Sequence, residues 1–226
     1  MAPLASPLAA SYQRQREAKG NSVAQKGKIE QPTLRLITTW PPSGASRATL
    51  VLCPFLAGLD ATVAFWIGGL AWHDANAGLL HTIRTPARRR HRIYAGVFCV
   101  DPFRRDDDVF AALRAARIDG IINLPTVSVI DGELGTILGS FNLGIDREID
   151  FLRRAHDAGF QIAGCVGTAE AADQLAAAGA DFIIAHGGPP QPGLADPSHV
   201  SANRLRRRFA NGPPVISAAQ LLATLS

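Results

Sequence analysis

Asp101 stands directly after the apolar run GVFCV (residues 96–100) and directly before Pro102. A buried strand would therefore deliver a carboxylate, on a stiffened backbone, to its own end. Comparable placement after apolar runs or at turns selects Asp74 and Asn76 in WHDANAG, Asn123 and Thr126 in INLPTVSVIDG, Glu148 in GIDREID, and His186 with Gly187 and Gly188 in IIAHGGPP. Carboxylates and an imidazole take and give protons, amides orient polar ligands, and glycine turns expose backbone N–H groups to oxyanions. A rim that gathers these residue types suits a small anionic metabolite.

Something must bring such scattered positions to one rim, and the alternation of the chain supplies it. Short apolar runs at 34–38, 49–53, 92–100, 120–124, 161–166 and 181–186 read as strands buried on both faces, with PPVIS (213–217) as a weaker seventh. Between them lie amphipathic patterns. DDDVFAALRAARIDG sets Val109, Phe110, Leu113 and Ile118 on one side, with Gly120 expected to close the helix. DREIDFLRRAHDAGF stops at Gly159, and TAEAADQLAAAGADF opens at Thr168 with Glu170 and ends at Gly179. Strands separated by helices of this length imply right-handed βαβ units and a parallel sheet. No GxGxxG follows an early strand, so the pattern favours a TIM-type (β/α) barrel over a dinucleotide-binding sheet, with fewer strands than the eight a closed barrel needs.

Each candidate also has a plainer reading. Asp101 and Asp74 are placed to cap helices starting near Pro102 and Ala75, and Glu148 near a helix start favours the dipole in any protein. His186 fits a hydrogen-bonded position at the edge of the core, and Gly187–Gly188 fits an ordinary turn.

Composition bounds the rest. The 226 residues are 47% hydrophobic with a formal charge of +4, too weak a field for a dedicated nucleic-acid binder. The basic runs RTPARRRHR (84–92) and RLRRRF (204–209) read as solvated helix ends, the alternative being a polyanion-binding surface that would weaken steeply with salt. Cys53, Cys99 and Cys165 lie far apart in apolar stretches without CxxC spacing, as reduced thiols of a cytoplasmic protein would. The apolar segment 48–72 is long enough to cross a bilayer, but Pro54 and Asp60 interrupt it, so a strand, a loop and a helix are expected there and no membrane partner. Residues 1–31 read as a flexible N-terminal extension, leaving 32–226 as one barrel-like domain.

DANA, AGVFCVDPF, GIINLPTVSVIDG, NLGIDREIDFLRRAHDAGF and TAEAADQLAAAGADFIIAH, in this order across residues 49–190, resemble the phosphoenolpyruvate hydrolase-like TIM-barrel family. That resemblance implies a relative of the phosphoenolpyruvate/pyruvate enzymes, acting on phosphoenolpyruvate or a related α-keto or enol acid with a divalent metal, Mg²⁺. It casts Asp74 and Asp101 as metal-directed, Asp101, Glu148 and His186 as catalytic, and Asn76, Asn123, Thr126, Gly187 and Gly188 as substrate-binding. The chain departs from the family in lacking a GAGAGTG-like first strand among residues 1–48 and in carrying Cys99 and Val100 before the DPF triplet. It reads as shortened at both ends. The alternative expectation is a catalytically degenerate barrel that binds an anionic metabolite or a protein partner in a regulatory role. A sheet with exposed edges further leads to the expectation of a homo-oligomer.

Overall fold

The computed structural model describes residues 32–40, 42, 48–58, 60, 63, 65, 66, 74–86, 91–189 and 194–225. The expected extension over 1–31 lies outside them. Among the described residues seven strands form: β1 (Leu34–Ile37), β2 (Thr49–Leu52), β3 (Ile93–Val97), β4 (Gly120–Asn123), β5 (Gln161–Val166), β6 (Ile183–Ala185) and β7 (Val215–Ser217). Each lies parallel to the next, in chain order. The first half of β5 pairs with β4 (Ile121 opposite Ile162) and its second half with β6 (Cys165 opposite Ile184), a stagger that curls the sheet. This is an incomplete α/β barrel of the TIM type, as the alternation implies.

Period-two alternation sorts the strand residues onto two faces. Leu36, Val51, Tyr94, Ile122, Ala163, Ile184 and Ile216 fill the inner face. Leu52, Ile93, Ala95, Ile121, Ile162 and Ile183 face outward, under the helices. Two inner approaches leave no room for a side chain: a Cβ on Gly96 would stand 2.5 Å from the Leu124 carbonyl oxygen and 2.6 Å from Cys53 Sγ. After β7 the chain returns to the first strand, where Thr224 Oγ1 accepts from the Leu36 N–H at 2.9 Å.

The α-helices are α1 (Ala75–Thr82), α2 (Asp106–Ala115), α3 (Gly132–Ser140), α4 (Ile145–Asp157), α5 (Ala169–Ala177), α6 (Pro197–Arg208) and α7 (Ala218–Leu222). Of these, α1, α2, α4, α5 and α6 pack on the outer face, α3 buries no residue, and α7 joins the inner cluster through Ala218 and Leu221. Local chemistry sets their starts. Asp74 caps α1 by accepting from the Ala77 N–H at 2.7 Å, and Thr168 caps α5 through the Ala171 N–H. Three aspartates, 106 to 108, fill the first turn of α2, complementing its dipole. α4 buries Ile149, Phe151, Leu152 and Ala155 against the sheet, and Gly159 follows it with φ +91°.

Two expectations change. Gly120 does not end α2: the helix stops at Ala115, Arg117 takes the left-handed turn (φ 62°), and Gly120 begins β4 where the Tyr94 ring lies against its Cα. Asp101 does not cap a helix at Pro102 or Phe103, because α2 begins at Asp106; its Oδ1 instead accepts from the Phe103 N–H at 2.9 Å in a local turn. The apolar stretch opens with β2 and a one-turn 3-10 helix (Pro54–Leu56), and no helix among the described residues is long and apolar enough to cross a membrane. In the second basic run, Arg206 donates to the Val215 carbonyl at 2.8 Å and Arg208 pairs with Asp173, so both arginines serve the fold. Part of the first run, residues 87–90, lies outside the described residues.

Candidate functional site

Asn123 is the last residue of β4, and its side chain continues the sheet where the strand stops. The β4–β5 pairing ends at Ile122 and Ala163; beyond it Asn123 Oδ1 accepts from the Cys165 N–H at 2.6 Å and Nδ2 donates to the Cys165 carbonyl at 3.0 Å. The same Nδ2 donates to Glu148 Oε2 at 2.6 Å. Glu148 enters from the first turn of α4, an outer-face position that packing closes completely: both residues are 0% exposed. Thr126 Oγ1 donates to Glu148 Oε2 at 2.6 Å and the Val127 N–H donates to Oε1 at 2.8 Å. Among the described residues the donors to this carboxylate are all neutral. Burial pushes its pKa up to about 7, against the downward pull of the Thr126, Asn123 and Val127 hydrogen bonds.

Beyond Leu124 and Pro125 the chain folds over the strand ends in a single 3-10 turn, Val127–Val129, capped by Thr126. That turn carries Ser128 across to β6. Ser128 Oγ lies 2.9 Å from Thr126 Oγ1 and 2.9 Å from His186 Nε2, with a longer approach of 3.4 Å to the Cys165 carbonyl. His186 follows the inner-facing Ile184 by two positions, and its backbone N–H donates to the Val166 carbonyl at 3.0 Å. Its ring is 5.5 Å from that of Trp66 and 6.4 Å from that of Phe65, both edge-on. Gly167 leaves it space: a Cβ there would stand 2.7 Å from His186 Cε1. Burial pushes the imidazole down to about 4, with Asp131 acting the other way, so the ring is neutral at neutral pH. Its Nδ1 is buried with no hydrogen-bond partner among the described residues.

A cavity of about 340 Å³ adjoins this line, with Ser128 in its wall. Gly132, Gly144 and Thr168 also border it, at the amino-terminal ends of α3, α4 and α5. Helix starts present unpaired N–H groups and the positive end of the dipole, and three of them on one cavity favour an anion. Asp131 is the carboxylate in the wall, and the remainder is largely apolar, with Ile130, Leu138 and Leu143.

A second cluster stands at the ends of β2 and β3. Asn76 clamps the turn after β3, its Nδ2 donating to the Phe98 carbonyl and to Asp101 Oδ2, both at 2.9 Å, while Oδ1 accepts from the Phe98 N–H. Arg104 folds back between two carboxylates, donating through Nη1 to Asp101 Oδ2 and through Nη2 to Asp74 Oδ2, each at 2.7 Å.

The profile of the phosphoenolpyruvate hydrolase-like family matches residues 61–218, which include both clusters and the cavity. The chain belongs to this family. It is similar to the uncharacterized protein y4oT of Sinorhizobium fredii (strain NBRC 101917 / NGR234), with 32% identity over 156 residues, 68% of this chain and 80% of that protein. It is also similar to the ToMV resistance protein Tm-1(GCR237) of Solanum lycopersicum, with 33% identity over 123 residues, and equally to the ToMV susceptible protein tm-1(GCR26). Those 123 residues are 54% of this chain but only 16% of either tomato protein.

Within this phosphoenolpyruvate hydrolase-like chain the sequence-selected residues separate into groups. Asn123, Thr126, Glu148 and His186 come together in one hydrogen-bonded line. Asp74, Asn76 and Asp101 come together in the other cluster. Gly187 and Gly188 are not among the cavity residues: Gly187 lies close against the backbone of Pro197 at the start of α6, and Gly188 takes φ +93° in a turn. Ser128, which joins Thr126 to His186, was not singled out in sequence; its closeness to Thr126 in TVS is the available signal.

Mg²⁺, which the resemblance implies, is poorly matched by the residues present. Asp74 Oδ1 caps α1 and Oδ2 takes Arg104; Asp101 Oδ1 holds the Phe103 N–H and Oδ2 takes Asn76 and Arg104. The guanidinium already supplies the positive charge that a hard cation would bring to these oxygens. Among the described residues no three His, Cys, Asp or Glu side chains gather as a metal would require.

Proposed function

We propose that the protein is a hydrolase of phosphoenolpyruvate or of a related enol or α-keto acid, with its reacting centre at the cavity beside Ser128. One observation carries the reading: a cavity bordered by three helix starts meets a hydrogen-bonded line that ends on a carboxylate able to change protonation near neutral pH. The helix starts suit the phosphate and carboxylate oxygens of such a substrate. As water bonds to phosphorus and the bond from phosphorus to the enol oxygen breaks, Ser128 and Thr126 pass the water's proton to Glu148; phosphate leaves, and the enolate becomes pyruvate by taking a proton at its methylene carbon. Asn123 holds the Glu148 carboxylate in place and ties it to β5. Asp101 and Asn76 shape the neighbouring loop, and no step is routed through a metal.

Pyruvate release from phosphoenolpyruvate by the purified chain tests this, measured with and without Mg²⁺ and alongside Glu148→Gln and Asp101→Asn. The expected result is multiple turnover that Glu148→Gln reduces about 100-fold or more, in keeping with loss of a general base. Asp101→Asn should have a smaller effect. The occupation of both rim carboxylates by Arg104 favours a second reading, binding of an anionic metabolite without turnover. Saturable stabilisation by phosphoenolpyruvate with no pyruvate formed, from protein of native circular dichroism, would select it.

A further inference from the structure

We propose that Glu148, Thr126, Ser128 and His186 form a proton relay in which the protonation of the buried carboxylate sets the tautomer of His186. In its catalytic use the relay rests on the hydrolase reading above, but the switch itself is a property of the resting protein. The geometry is continuous: Oε2 to Thr126 Oγ1 at 2.6 Å, Oγ1 to Ser128 Oγ at 2.9 Å, Oγ to His186 Nε2 at 2.9 Å. Each hydroxyl has one hydrogen to give and can accept another, and the 2.9 Å contacts of Ser128 are shorter than its 3.4 Å approach to the Cys165 carbonyl, so the line runs one way or the other.

With Glu148 ionised, Thr126 donates to the carboxylate, Ser128 donates to Thr126, and His186 Nε2–H donates to Ser128. Nδ1 is then a bare acceptor. With Glu148 protonated the line runs in reverse: Glu148 donates to Thr126, Thr126 to Ser128, and Ser128 to His186 Nε2, leaving the ring hydrogen on Nδ1. Passing from the first state to the second takes up one proton at Nδ1, while each hydrogen along the line moves one place toward Glu148. No charge is left on His186, in keeping with a ring that burial holds neutral. The relay thereby links two places that do not touch, the outer-face pocket of Glu148 and the inner-face Nδ1, which has no partner among the described residues.

Few ionisable groups surround the line. Cys99 after β3 and Cys165 on β5 lie near Glu148, both buried thiols pushed far up, with Arg147 and Asp106 acting on Cys99. Asp131, before α3, acts on His186. The neutral neighbours of the ring are Phe65, Trp66 and Ser128.

Two-bond ¹H–¹⁵N NMR of the full chain with ¹⁵N-labelled histidine, assigned through His186→Gln, tests the switch between pH 5.5 and 8.5 without any substrate. The expected result is that the two ring nitrogens of His186 exchange their protonated and unprotonated shifts, with half-change near pH 7, the value to which burial raises Glu148. Ser128→Ala should abolish the exchange and Ser128→Thr, which keeps the hydroxyl, should retain it. A wild-type tautomer constant across the range would overturn the relay, as would an exchange that survives in Ser128→Ala. Pyruvate release can fail while the tautomer exchange stands, so the relay and the hydrolase reading are judged separately.

Discussion

Two clusters of side chains at the carboxyl-terminal ends of one sheet hold their acids in opposite ways. Around Glu148 every donor is neutral and water is excluded, so ionisation is opposed by desolvation and the carboxyl is raised to about 7. Around Asp74 and Asp101 a guanidinium bridges both carboxylates, and Asp74 is half exposed to solvent. The comparison teaches that the number of hydrogen bonds does not decide whether an acid is available for proton transfer. The charge of its partners and the access of water do. A bridging guanidinium holds the rim acids, whereas the donors to Glu148 among the described residues are neutral and leave it able to change protonation near neutral pH.

The strongest way to break the contrast is to remove the buried acid. Glu148→Ala strands the Asn123 amide, the Thr126 hydroxyl and the Val127 N–H in a closed pocket and should lower stability by about 3 kcal/mol in urea unfolding. Next in size is the dependence on pH. Glu148, at about 7 in the fold and 4.5 as its ordinary value, binds more protons when folded, so its contribution to stability falls as pH rises from 4.5 to 7. His186, at about 4 against 6.5, binds fewer when folded, so its contribution rises from pH 4 to 6.5. Each amounts to about 3 kcal/mol, and in the intact protein they oppose each other over the shared range. Glu148→Gln should therefore expose a stability that climbs with pH, and His186→Gln one that declines, both read from urea midpoints. Thr126→Val removes a hydrogen bond that lowers the Glu148 pKa and should raise its midpoint by about one unit, measured by ¹³C NMR.

The smallest change sharpens the other side. Arg104→Met removes the shared guanidinium but leaves Asp74 half exposed to water and Asp101 held by Asn76 and the Phe103 N–H, so it should cost about 1 kcal/mol. It should also create an Mg²⁺ response: millimolar Mg²⁺ raising the melting temperature of Arg104→Met and not of the wild type. An equal response in both proteins would show that Arg104 does not hold the cation's position.

The scaffold was legible because strands buried on both faces must be apolar throughout, and all seven runs from LRLIT to PPVIS became strands. Helix α3 was not, because its sequence, GELGTILGS, buries no residue and carries glycines through its length. The site was legible in part. Asn123, Thr126, Glu148 and His186 bear chemistry at strand or helix ends, where a barrel collects it. Ser128 owes its place to the path of a 3-10 turn, which short-range pattern does not specify. In FRRDDD nothing in composition says which arginine folds back onto Asp74 and Asp101; that choice belongs to tertiary packing, which buries most of Arg104 and leaves Arg105 at the helix start.

The most direct test of this contrast is the titration of Glu148 itself, followed through its side-chain carboxyl carbon in ¹³C-labelled protein and assigned by its loss in Glu148→Gln. A midpoint near 7 is the predicted result. A midpoint near 4.5, the ordinary value, would contradict it and remove the acid from the proton chemistry assigned here.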